Sequence, residues 1–149
     1  MVAGTESGDR ETLAGLRAVL LTVAVWMTGD GTEEPWENDA AALSMRGEME
    51  EALRRAGMEA IPLGSSPTMP EGCPLLGLAV ACAAAPGWDT LALSVSQEAT
   101  LTRLPGRFFV VQTWQFEASA DPGQWRETAR GMLETFLAAV QAADAGGPG

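Results

Sequence analysis

Residues 88–104 alternate between two sets of side chains, and this pattern constrains the fold more than any other feature of the chain. One set occupies the odd-numbered positions Leu91, Leu93, Val95, Gln97, Ala99 and Leu101. A period of two residues is typical of a strand with one buried face. The segment is flanked by Pro86-Gly87 and Pro105-Gly106, and Pro-Gly pairs commonly form turns. It is therefore predicted to be the middle strand of a three-stranded antiparallel meander.

The two turns also predict the register of the meander, if each is a loop of about four residues. A loop of this length at the first turn places Leu93 opposite Val80, and one at the second turn places Gln97 opposite Trp114. Both registers assign the same residues to one face, which we take as the core face. That face comprises Leu76, Leu78, Val80, Cys82, Leu91, Leu93, Val95, Leu101, Val110, Trp114 and Phe116.

Two amphipathic helices are predicted, one on each side of the meander in sequence. The first runs from Asp39 to Ala56, and Asn38 or Asp39 can cap its start. The second follows Asp121, taken as its N-cap, and continues to about Ala143. A valine-rich strand over 16–27 precedes the first helix, and a short edge strand over 58–63 follows it. The order β-α-β-β-β-β-α predicts an α+β fold, a two-layer sandwich in which a mixed, mostly antiparallel sheet carries two helices on one face.

The length of 149 residues is that of one domain. Residues 1–14 show no apolar periodicity, so we expect a disordered N-terminal lead-in there. The single α+β domain is expected over 15–144, followed by a flexible tail over 145–149.

The charge balance disfavours several classes of function. Nine basic residues, all arginine, face twenty acidic ones, which gives a net charge of −11. Phosphate backbones and anionic lipids repel such a chain, so we expect neither a nucleic-acid nor a membrane partner, whereas a basic protein partner stays open. Histidine, the commonest general base and metal ligand, is absent. No phosphate-binding glycine motif or paired-cysteine motif occurs either. We therefore expect no catalytic residue, cofactor or metal.

The sequence favours a cytoplasmic location. Cys73 and Cys82 are too far apart along an extended chain to form a disulfide, and a protein without disulfides is typical of a reducing compartment. The N-terminus lacks the basic region of a secretory signal, and the apolar run over 18–27 is too short to cross a bilayer. Abundant alanine, glycine and arginine indicate a bacterial protein from a GC-rich genome.

One candidate ligand pocket follows from the predicted register. Gln97, Gln112 and Trp114 share the predicted core face, and two amides beside an indole could orient a polar ligand between the sheet and the helices. The alternative is that these glutamines bind solvent or backbone at an end of the sheet that the helices leave uncovered.

Two surfaces are candidates for binding protein. The opposite sheet face carries small residues, and it could bury Leu75, Phe109 and Val111 against a second copy in a homodimer. The loop over 29–39 could instead dock a basic partner, although it lacks the ligand spacing of a calcium loop. Its acidic residues are Asp30, Glu33, Glu34, Glu37 and Asp39.

Two hypotheses of function result. The first is a non-catalytic acidic protein-interaction domain (adaptor, chaperone-like or immunity-like) that forms a homodimer. The alternative is a small-molecule-binding protein or an unfamiliar enzyme that uses a pocket near Gln97, Gln112 and Trp114. A closed pocket at these residues would favour the alternative. A solid core there, with an apolar surface elsewhere, would favour the interaction domain.

Overall fold

A single mixed β-sheet carries two helices on one face in the computed structural model, so the predicted α+β sandwich is confirmed. The structure describes residues 3–28, 34–62, 73–83, 87–101 and 103–146. Its strands are β1 Thr5–Gly8, β2 Ala18–Met27, β3 Trp36–Glu37, β4 Glu59–Pro62, β5 Leu75–Cys82, β6 Asp89–Leu101 and β7 Leu104–Ala120. Its helices are α1 Asp39–Arg55 and α2 Trp125–Ala145, with a 3₁₀ turn at Arg10–Leu13.

The described strands form one sheet in the order β1-β7-β6-β5-β2-β3, and β4 also pairs with β2. β2 is parallel to β4 and β5, and every other pair is antiparallel. The predicted position of β2 inside the sheet is confirmed, and so is β4 as a short edge strand. With α1 between them, β2 and β4 form a parallel β-α-β unit.

The first hairpin of the meander has a different register from the predicted one. The structure pairs Leu93 with Leu78 rather than with Val80. The reason is the connection over 83–88, which is longer than the loop of about four residues that we assumed. Since the shift is two residues, every side chain of β5 and β6 stays on its predicted face.

The second hairpin is shifted as well and also contains a β-bulge at Thr113. Trp114 pairs with Val95 rather than with Gln97, whereas Gln112 pairs with Ser96. β7 therefore has one residue more than β6 between these two pairs. The inward and outward alternation of β7 reverses across the bulge.

The bulge separates the confirmed part of the predicted core face from the part that is wrong. On the side of the bulge where β6 lies between β5 and β7, the predicted residues are buried: Leu76, Leu78, Val80, Cys82, Leu91, Leu93, Val95, Trp114 and Phe116. Beyond the bulge, Val110 is 59% exposed, because it now shares the opposite face with Glu98. The side chain of Leu101 lies outside the described residues.

The start of α1 is confirmed and the start of α2 is wrong. Asn38 caps α1, and its Oδ1 accepts the amide of Ala41 at 3.1 Å. We predicted that Asp121 caps α2. Instead, the Asp121 carbonyl accepts the amide of Gln124 at 2.9 Å, and Gly123 has a φ of +82°. These features indicate a type II turn, for which Pro-Gly is suited, so the helix begins only after it.

The predicted disorder over 1–14 is wrong for the part that the structure describes. β1 pairs with the edge of β7, and the following 3₁₀ turn buries Leu13 against the core. Gly8 has a φ of +93°, and a Cβ there would overlap the Thr113 carbonyl oxygen and lie 2.8 Å from Cα of Trp114. A four-residue strand with mostly exposed side chains has no apolar period, so the sequence pattern could not reveal it. At the other end, α2 reaches Ala145, and residues 147–149 of the predicted tail lie outside the described residues.

Candidate functional site

The three residues of the predicted ligand pocket do not come together. Gln97 donates from Nε2 to the Thr12 carbonyl and to Oγ1 of Thr113, each at 2.9 Å. Trp114 is fully buried, and Gln112 is exposed and donates to the side chain of Gln115. The bulge at Thr113 is the reason, since it turns Gln112 to the face opposite Gln97. Gln97 and Trp114 therefore stay on the helix side of the sheet, where each donates hydrogen bonds within the protein. A shallow depression of about 410 Å³ lies beside Gln97, but neither Trp114 nor Gln112 lines it.

Glu6 on β1 completes this part of the core. Its carboxylate accepts Nε and Nη2 of Arg10, both at 2.6 Å, and Nε1 of Trp114 at 3.0 Å. The Arg10 hydrogen bond is the main cause that lowers the pKa of Glu6, and the Trp114 hydrogen bond acts in the same direction, while burial opposes both. The indole N–H of a buried tryptophan is thereby satisfied.

This network predicts a pH-dependent contribution to stability. Because the pKa of Glu6 in the folded state lies below its ordinary value of 4.5, its contribution is present above pH 4.5 and is lost as the pH falls through the folded pKa. We expect Glu6→Gln to lower the free energy of unfolding by about 0.5–1 kcal/mol at neutral pH, a range that suits an exposed ion pair. The deficit should shrink below pH 4.5 in urea titrations. Glu59→Gln, at an exposed position of β4, is the control, and a Glu6→Gln deficit that is constant down to about pH 3 would contradict the assignment.

Asp89 is a buried carboxylate that sequence reasoning missed. It is 2% exposed, its Oδ1 accepts the amide of Ala83 at 3.2 Å, and its Oδ2 accepts the amide of Gly123 at 3.3 Å. It therefore joins the end of β5 to the turn before α2. Its place at the start of β6, directly after a turn, was the only signal in the sequence. Both carboxylate oxygens are used for structure.

Cys73 and Cys82 are free thiols, and burial raises the pKa of each, which disfavours the reactive thiolate. Among the residues that the structure describes, no three side chains of the metal-binding types cluster together. Within the same ranges, neither helix is long and apolar enough to cross a bilayer.

β6 and β7 continue past their other neighbouring strands over residues 97–101 and 103–112, and we call this stretch the hairpin arm. β5 pairs with β6 only as far as Ser96, and β1 pairs with β7 only from Trp114 onward. Among the described residues, the arm therefore consists of two strands without a third neighbour. Its exposed large apolar side chains are Leu104, Phe109, Val110 and Val111. Two-stranded hairpins are at best marginally stable in water, so this arm is an unusual place for such residues.

Arginine residues accompany the apolar side chains at the tip of the arm. Arg103 and Arg107 are both exposed. Within the described ranges, no ion pair involves either of them, whereas Arg10, Arg17 and Arg130 each pair with a carboxylate. The arm thus combines exposed apolar area with two arginines that form no ion pair within the described residues.

The predicted interface residues are divided between two surfaces. Phe109 pairs with Ala99 and Val111 with Gln97, so both lie on the arm, on the side of the sheet that carries the helices. Leu75 pairs with Ser96 and lies on the opposite side. The bulge again accounts for the difference, because it reverses the alternation of β7 beyond Thr113.

Ala79, Ala81, Thr90 and Ser119 are exposed on the sheet side opposite the helices, and we call this surface the open face. It holds a shallow trough of about 820 Å³. The side chains that define it are Trp26, Ala79, Ala81, Thr90, Ala92, Glu117 and Ser119. Most of them are short, so the trough has a flat floor with one indole at its margin.

The predicted acidic loop contributes to the open face. Glu37 in β3 pairs directly with Trp26, so its exposed side chain lies on the same side of the sheet. Glu34 and Asp39 are exposed as well. Asp30 and Glu33 lie outside the described residues.

Comparisons with known proteins report on the fold. No protein-family model and no curated protein matches the chain. The chain is similar to the solved structure of a PelC dodecamer from Paraburkholderia phytofirmans, a variant with one leucine-to-methionine substitution. The TM-score is 0.51 and the identity is 12%, over 95% of this chain and 98% of that chain. A second solved structure, of an uncharacterized protein, has a TM-score of 0.35 at 8% identity, over 89% of this chain and 95% of that chain. At such identities, the similarity to PelC is evidence for the fold alone.

Proposed function

We propose that the chain is a non-catalytic protein-interaction domain that associates with further copies of itself. The observation that carries this proposal is the hairpin arm, which holds Leu104, Phe109, Val110 and Val111 in solvent outside the core. A partner that covers the arm would remove this apolar area from water at roughly 25 cal/mol per Å². It would also supply the neighbour that a two-stranded hairpin needs for stability.

Three further observations support the proposal. Gln97 and Trp114, which would orient a ligand in the alternative, donate hydrogen bonds within the protein, and this favours the interaction domain over a ligand pocket. The similar PelC structure is a dodecamer, so a chain of this fold can associate with many copies. Free Cys73 and Cys82 fit the cytoplasmic location expected from the sequence.

The oligomeric state tests the proposal. We expect the wild-type protein to have a mass that is a multiple of 15.6 kDa in light scattering and sedimentation. Val110→Glu places a charge in the covered arm, and burying an unpaired charge costs several kcal/mol, so association should weaken at least about 100-fold. The variant should remain folded, because Val110 is 59% exposed and lies outside the core.

Leu43→Glu is the matched control for this variant. Leu43 is an exposed apolar residue on α1, so the substitution makes the same chemical change away from the arm, and the wild-type mass should persist. A wild-type protein that stays at 15.6 kDa at the highest soluble concentration would overturn the proposed function.

A further inference from the structure

We infer that the association is head-to-tail: the hairpin arm of one copy docks on the open face of the next copy. This inference depends on the self-association proposed above and names the surface that receives the arm. Charge, shape and the positions of the two surfaces on the strands each support it.

Charge distinguishes the arm from the rest of the molecule. Residues 97–112 contain Arg103, Arg107 and a single acidic residue, Glu98, so the arm has a charge of +1. Since the whole chain carries −11, the remainder carries −12. A second copy therefore offers the arm an acidic partner. Pairing two arms with each other would instead bring four arginines together, and like charges on neighbouring strands are unfavourable.

The open face suits the chemistry of the arm. Short side chains such as Ala79 and Ala81 let a β-ribbon approach the sheet closely, and the trough of about 820 Å³ gives room for apolar side chains. Trp26 is partly exposed, and an indole is the best aromatic partner for a guanidinium group. Glu37 and Glu117 add two exposed carboxylates on this face. Arginine pairs with carboxylates through two parallel hydrogen bonds.

The arm cannot reach the trough of its own copy. Both surfaces belong to β6 and β7, with Ala92 in the trough and Thr100 in the arm. Eight residues of strand separate them, which is about 26 Å at ~3.3 Å per residue. The contact therefore joins two copies and leaves each pair with one unused arm and one unused face. Contacts of this kind continue until a ring closes, or else form a filament.

Mixing two blocked variants tests the inference. Val110→Glu blocks the arm and leaves the open face intact. Ala79→Arg puts a long cation on an exposed position of the trough and leaves the arm intact. Each variant alone should remain at 15.6 kDa, and an equimolar mixture should form one species of twice that mass. Leu43→Glu and Ala138→Arg, both at exposed helix positions, should keep the wild-type assembly.

Other outcomes separate this inference from the proposed function. An oligomeric wild type whose two blocked variants do not combine would overturn the head-to-tail contact and leave self-association standing. An Ala79→Arg variant that keeps the wild-type mass would likewise overturn the head-to-tail contact and leave self-association standing. If circular dichroism shows that either variant is unfolded, Ala81→Arg replaces Ala79→Arg, and the double substitution Arg103→Glu with Arg107→Glu replaces Val110→Glu. An arm variant that keeps the wild-type mass but loses sedimentation with phosphatidylserine vesicles would also overturn the inference and assign the arm to lipid.

Discussion

Replacing Trp114 by alanine is expected to lower the free energy of unfolding by about 3–5 kcal/mol, the usual cost of truncating a buried aromatic residue. The indole is fully buried, and its ring centroid lies 5.8 Å from that of Phe136 on α2. It also donates its N–H to Glu6 on β1. One side chain thus connects β7 with a helix and with the first strand. Its removal should leave a cavity that these three elements cannot close.

Urea denaturation followed by circular dichroism would measure this loss. The Val110→Glu background removes the contribution of association to the measured stability. Trp88→Ala is the matched control, because Trp88 is 65% exposed and its loss should change stability by less than about 0.5 kcal/mol. Trp114→Phe keeps a ring but loses the N–H donor, so it should lie between wild type and Trp114→Ala. A loss below about 1 kcal/mol for Trp114→Ala would contradict the packing described here.

Replacing Asp89 by alanine is expected to cost about 2–3 kcal/mol. The substitution leaves the amides of Ala83 and Gly123 without the carboxylate that accepts them, and hydrogen bonds to a charged group contribute about 1.5–3 kcal/mol. Because Asp89 joins the end of β5 to the turn before α2, both regions should become less protected against amide hydrogen exchange.

The conservative variant separates hydrogen bonding from side-chain volume. Asp89→Asn keeps the shape and one carbonyl acceptor, so we expect about half the loss seen for Asp89→Ala, as measured by urea denaturation. Glu98→Ala changes an exposed carboxylate on the same strand and should have little effect on stability. Equal losses for Asp89→Asn and Asp89→Ala would mean that both amides need the carboxylate. No loss for Asp89→Ala would contradict its structural role.

Much of the fold was predictable because side-chain periodicity records which face of an element is buried. The buried face around Leu93 was predicted correctly although its predicted register was wrong by two residues, because an even shift keeps every side chain on its face. Asn38 before α1 was equally informative, because a capping side chain acts on amides a few residues away. Strand alternation repeats along an element, and a helix cap depends only on nearby residues. An error in the predicted register therefore removes neither signal.

The candidate site was harder to predict because it depends on one irregular residue. The bulge at Thr113 moves Gln112 to the far face and exposes Val110, although nothing in the alternation of β7 marks an extra residue. Glu6 and Asp89 were missed for a related reason. Each acts through distant partners, Trp114 for Glu6 and Gly123 for Asp89, and pattern reasoning on neighbouring residues cannot supply such pairs.

The close approach at Gly8 makes the edge of the sheet dependent on the absence of a single methyl group. With any side chain at position 8, the first strand could not lie beside the bulge, since that carbon would overlap the carbonyl of Thr113. Displacing the strand would take Glu6 away from Trp114 and admit water to the indole edge. β1 therefore shields the indole of Trp114 from water, and it can do so because residue 8 is glycine.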